Sequence, residues 1–176
     1  MSLIKEIKKL RHHKIYLVGQ ISSNPQSYEW RKRLYEYLIN MENYAKDYIT
    51  LLDPCKNSMN LNLIKQNKND EKSFTDRAND YNSMNILAAL DAGYVKESTI
   101  CFANMNHFTP SRPIIGSFFE LAFYYHNYPD KPVIGIFEGD PTKDYQCNHP
   151  FVQAAIDVWV KNENEAMDLI IKQCFC

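Results

Sequence analysis

Apolar and polar positions along this chain fall into short apolar runs separated by longer amphipathic stretches. Residues 14–19 form a nearly continuous apolar run closed by glycine, the pattern of a parallel strand buried on both faces. Asn24-Pro25 predicts a turn, and Ser27 is placed to cap a helix whose Trp30, Leu34, Leu38 and Met41 share one face. Residues 48–52 predict a second strand, closed by Asp53-Pro54. The segment 55–79 is rich in Asn, Lys and Asp with little periodicity, and is expected to form a long excursion. A helix is predicted over 82–95, with Met84, Leu87, Leu90, Asp91 and Tyr94 near one face. An aspartate beside that apolar stripe asks for a reason. Residues 99–103 and 132–137 predict the third and fourth strands, with a helix running to about residue 125 between them. A short helix (150–156), a fifth strand (158–160) and a last helix (163–173) complete the pattern.

Strands alternating with helices at this spacing predict one doubly wound, three-layer α/β domain over residues 1–176. Its sheet is expected to be five-stranded and mainly parallel, of Rossmann or flavodoxin-like type, with residues 1–13 as a basic N-terminal extension. Composition adds exclusions. The length suits a single core, and 45% apolar with 23% charged residues is ordinary for a globular protein. A net charge of −1 with no long run of one sign argues against nucleic acid or a membrane as partner. No apolar run approaches membrane-spanning length. The five cysteines (Cys55, Cys101, Cys147, Cys174, Cys176) have no zinc or redox spacing and the five histidines no ligand spacing. The expectation is a reduced, cytoplasmic protein with no metal.

The candidate chemistry gathers on residues 113–122, Pro-Ile-Ile-Gly-Ser-Phe-Phe-Glu-Leu-Ala, between the third strand and the following helix. A Gly-containing loop feeding a helix start offers backbone N–H groups to a polar ligand. Glu120 is expected in the first turn of that helix, at the carboxyl edge of the sheet, where open α/β folds bind ligands. Ser117-x-x-Glu120 is equally the pattern of a capping box, which does no chemistry. Three strand ends converge on one crevice: residues 16–23, residues 104–112, and the helix start bearing Glu120. A glutamate in a dry pocket can attack a sugar carbon while a second carboxyl group handles the proton of the departing base. A tyrosine hydroxyl can hold the nucleophile. Asp91 and Tyr16 are the candidates, with a solvated helix carboxylate and a plain core tyrosine as their structural alternatives.

In this order and spacing the motifs resemble the nucleoside 2-deoxyribosyltransferases, over residues 15 to about 173. Ile15-Tyr16-Leu17-Val18-Gly19 matches the family's first strand, whose tyrosine orients the nucleophile. Asp91, eight residues before Thr99, matches its aspartate, and Gly116-Ser-Phe-Phe-Glu120-Leu121 matches its G-x-x-x-E-L segment. Asn148 stands at the distance of an asparagine that reaches into the neighbouring subunit's pocket, or it serves as a turn residue beside Pro150. The resemblance implies transfer of a 2-deoxyribosyl group between nucleobases through a covalent intermediate on Glu120, without cofactor, in a homo-oligomer. The readings beside it are an N-glycosidase and a non-catalytic nucleotide-binding module. Expected substrate contacts are Gly19, Gln20, Asn104, Gly116, Ser117 and Asn148, with Trp30, Phe118 or Phe119 to stack on the base. Two positions depart from the family. Ile114 stands where a polar substrate contact is usual, and no arginine follows Gly19 until Arg31, which favours nucleosides over nucleotides.

Overall fold

A computed structural model describes residues 12–22, 24–41, 47–56, 81–108 and 114–175. The extension up to residue 11, the excursion over 57–79, Ser23 and Ser111-Arg112 of the expected crevice rim lie outside the described residues. The elements run β1 (His13–Gly19), α1 (Gln26–Asn40), β2 (Ile49–Leu52), α2 (Tyr81–Glu97), β3 (Ile100–Asn104) and α3 (Ile115–Asn127). They continue β4 (Val133–Ile136), α4 (Pro150–Ala155), β5 (Val158–Val160) and α5 (Glu163–Phe175). The five strands form one sheet in the order β2-β1-β3-β4-β5, and every pairing is parallel. This is the flavodoxin-like order, in which the chain reverses direction of winding between β1 and β3.

Period-two alternation along the central strands sorts the side chains into two cores. Ile15 and Leu17 of β1 and Phe102 of β3 face α1 and α5, where they meet Trp30, Leu34, Met167 and Ile170. Tyr16, Val18, Cys101 and Ala103 face α2, α3 and α4, packing with Val95, Leu121, Tyr124 and Val152. Strands buried on both faces require uniformly apolar runs, which is why residues 14–19 and 100–103 read so clearly.

Two helix starts differ from the pattern-based expectation. Ser27 does not cap α1; it lies within the helix, and its hydroxyl donates to the Asn24 carbonyl at 2.6 Å. The side chain of Asn24 serves the helix start, accepting the Gln26 N–H at 3.0 Å. At α3 the capping box is not formed. The cap position is Ile114, buried under the sheet and making no side-chain cap, so Ser117 is already inside the helix. Glu120 therefore sits in the second turn, and its carboxylate is free of backbone duties.

Candidate active site

Tyr16 stands in the middle of β1, opposite Cys101 of β3, and is fully buried. From there its hydroxyl donates to Oε1 of Glu120 at 2.5 Å. Strand alternation turns Tyr16 toward the α3 layer, and the helix turn that carries Leu121 and Tyr124 inward sets Glu120 at the border of the buried face. Asp91 of α2 approaches from the same layer, and its Oδ1 is buried with no hydrogen-bond partner. A buried acceptor left open costs about 1–3 kcal/mol, so folds rarely keep one without a use.

Electrostatics agree with the geometry. Burial pushes the Glu120 carboxyl from 4.5 up to about 7; the Tyr16 hydrogen bond and the Arg31 guanidinium oppose the rise, and Asp91 adds to it. Burial also lifts Asp91 to about 6. Tyr16 is held well above its ordinary value by burial first and the Glu120 charge second, so it remains a neutral donor. Two carboxyl groups that titrate near neutrality within reach of each other can divide the roles of nucleophile and proton donor.

Around this trio the expected contacts separate. Gly116 lies one turn before Glu120 on the same side of α3, and a Cβ there would meet nothing within 4 Å. Open space therefore lies at Gly116, one helical turn from Glu120. Ser117 and Asn104 are buried; Asn104 Oδ1 accepts from the backbone N–H and the side chain of Asn106, which turns the chain after β3. Gly19 answers to packing, since an added Cβ would lie 2.9 Å from the Trp30 ring and 3.3 Å from the Asn104 carbonyl. Gln20 is buried beside it. Trp30 is fully enclosed in the core on the opposite face of the sheet from Tyr16, so it offers no ring to a ligand. Phe118, two residues before Glu120, is carried to roughly the opposite side of α3 and packs against the second core. Phe119 is exposed to solvent. Asn148 is also exposed, its N–H bound to the Asp144 carbonyl in the turn before α4.

Three features were not expected from the sequence. Arg31 folds back to the end of β1, where Nη2 donates to the Gly19 carbonyl at 3.1 Å and Nη1 to the Ser27 carbonyl at 2.6 Å. Its Nε lies 3.3 Å from Asp53 Oδ1. The guanidinium is almost wholly out of solvent against these groups, so Arg31 does not serve as a phosphate receptor. His107 lies 3.5 Å from the Asp144 carboxylate and 2.9 Å from the Gln146 amide nitrogen, pinning the loop after β3 to the loop after β4. Tyr94 shares the site-facing side of α2 with Asp91, its ring centroid 6.4 Å from that of Tyr16. Among the described residues no group of three or more His, Cys, Asp or Glu side chains is placed to hold a metal, and no helix is long and apolar enough to cross a membrane.

Among known proteins, no family model and no curated relative matches the chain. A solved structure of a conserved protein from Enterococcus faecalis V583 superposes with a TM-score of 0.58 at 16% sequence identity, covering 92% of this chain and 98% of that one. At that identity the likeness establishes the three-layer α/β fold and nothing finer.

Proposed function

We propose that the protein is a nucleoside 2-deoxyribosyltransferase, with Glu120 as nucleophile. The observation that carries the proposal is the Tyr16–Glu120 hydrogen bond, formed beside an Asp91 oxygen that nothing in the described fold satisfies. The ionised carboxylate of Glu120 attacks C1′ of a 2′-deoxynucleoside, forming a C1′–O bond as the C1′–N bond breaks. Protonated Asp91 delivers its proton to the departing base nitrogen, and Tyr16 holds the carboxylate on line. An incoming base then attacks C1′ from the side the first base left, its proton passing to Asp91 and the electron pair returning to Glu120. Two inversions give net retention. With Glu120 near 7 and Asp91 near 6, a single proton rests mainly on Glu120, and the attacking form is the minor one, close in energy, in which that proton sits on Asp91.

On this reading the working form is at least a dimer, with Asn148 reaching a neighbour's pocket. Support comes from Ile115, Phe119 and Phe151, large apolar side chains left exposed on α3 and α4, which are packed together. The test is incubation with deoxyadenosine and cytosine. Formation of deoxycytidine is expected. Adenine with free deoxyribose and no deoxycytidine would make the enzyme a hydrolase, and no turnover of any deoxynucleoside would leave a binding module.

A further inference from the structure

We infer that Tyr94 is the aromatic wall against which the nucleobase stacks. Of the aromatic side chains that flank the nucleophile in sequence, Phe118 leaves α3 about 200° around the helix from Glu120 and is partly buried against the second core, and Phe119 lies out in solvent. Trp30 is sealed beneath Gly19 on the other face of the sheet. Tyr94 lies three residues from Asp91 on α2, so the two share one face of the helix. Helical side chains lean toward the N-terminus of their own helix, which carries the Tyr94 ring toward Asp91. On its inner side that ring meets Tyr16 at 6.4 Å between centroids and 43° between planes. Tyr16 is fully buried, whereas Tyr94 is only half-buried. Tyr94 thus keeps part of its surface accessible on the helix face that carries Asp91.

The position of the base follows from the proton it must receive, and so rests on the transfer reading. Asp91 reaches the base nitrogen only if the base plane lies against the Asp91 face of α2, and the neighbouring surface there is the Tyr94 ring. A π-face accepts purines and pyrimidines alike, because every base presents one. A site that must admit two different bases in succession needs that tolerance. Tyr94 is accordingly a base-contacting residue, and it sets affinity for the planar group without selecting between bases.

The experiment titrates free adenine and free cytosine into the full-length chain by calorimetry, for wild type, Tyr94→Phe, Tyr94→Leu and Tyr94→Ala, with the exchange assay run in parallel. Leucine preserves the apolar bulk and removes the π-face, which separates stacking from packing. Tyr94→Phe is expected to bind both bases within about threefold of wild type, and the Leu and Ala variants to weaken by about 5- to 150-fold. Folded Leu and Ala variants, verified by thermal melts, that bind as wild type does would overturn the inference. So would a Phe variant that weakens as far as Ala, or a wild type that binds neither base. A wild type that exchanges bases with Tyr94-independent affinity defeats this inference alone. One that binds bases through Tyr94 yet exchanges none defeats the transfer reading and leaves the stacking wall standing.

Discussion

Glu120 carries opposite demands. Its folded-state value near 7, raised from 4.5 chiefly by burial, means that the folded protein retains a proton which the unfolded chain has released. The associated stability is fully present below about pH 4.5 and is lost as pH rises through 7. Above that the fold must hold a desolvated charge, at a cost on the order of 2–3 kcal/mol. A glutamine side chain in its place would carry no charge at any pH. Glu120→Gln is therefore expected to match wild-type stability at pH 4.5 and to exceed it by roughly 2–3 kcal/mol at pH 8. Exchange activity should fall by about three orders of magnitude or more. Urea melts at both pH values and the exchange assay read the two effects. A variant less stable than wild type at both pH values, with exchange intact, would restore the capping-box interpretation that Ser117 and Glu120 invite in the sequence.

At the scale of single elements, packing at the strand ends is close enough to test. Gly135 of β4 faces Trp159 of β5, and an added Cβ would stand 2.6 Å from that indole and 2.9 Å from Ile156. Gly135→Ala should destabilise by about 1–3 kcal/mol through overpacking, seen as a lower urea midpoint with unchanged slope. The strands themselves were legible because a doubly buried strand has little choice but Val, Ile, Leu, Phe and Tyr, as in residues 15–18 and 100–103. Helix starts were less so. The Ser117-x-x-Glu120 pattern is local, whereas the start of α3 is fixed by burial of Ile114 against the sheet, a tertiary demand that overrides the local signal. That Tyr16, Asp91 and Glu120 would come together was legible from motif spacing. The contact of Tyr94 with Tyr16 was not, since a tyrosine on an apolar helix stripe looks the same whichever ring it meets. The destination of Arg31 was likewise invisible, because the partner that receives its charge comes from another element.

Over the whole molecule, that guanidinium ties three elements together: the end of β1 through Gly19, the first turn of α1 through Ser27, and the end of β2 through Asp53. Both charged groups are almost wholly out of solvent. Arg31→Met would strand the Asp53 carboxylate, a loss of about 3–5 kcal/mol out of a total that for domains of this kind is about 5–15 kcal/mol. Urea denaturation of Arg31→Met, Asp53→Asn and the double variant is expected to show each single change costing more than its share of the pair. A wild-type midpoint in Arg31→Met would make the tie ornamental. The placement of β1 inside the sheet, between β2 and β3, has a different consequence, for synthesis. Tyr16 and its partner Glu120 are 104 residues apart, about 5 to 20 s of translation at about 5–20 residues per second. Through that interval β1 has left the ribosome before the β3 edge it must join, with Tyr16 and Val18 facing no finished layer. The nascent chain is then most open to misassociation, and the strand that anchors the nucleophile is the one a chaperone would have to shield.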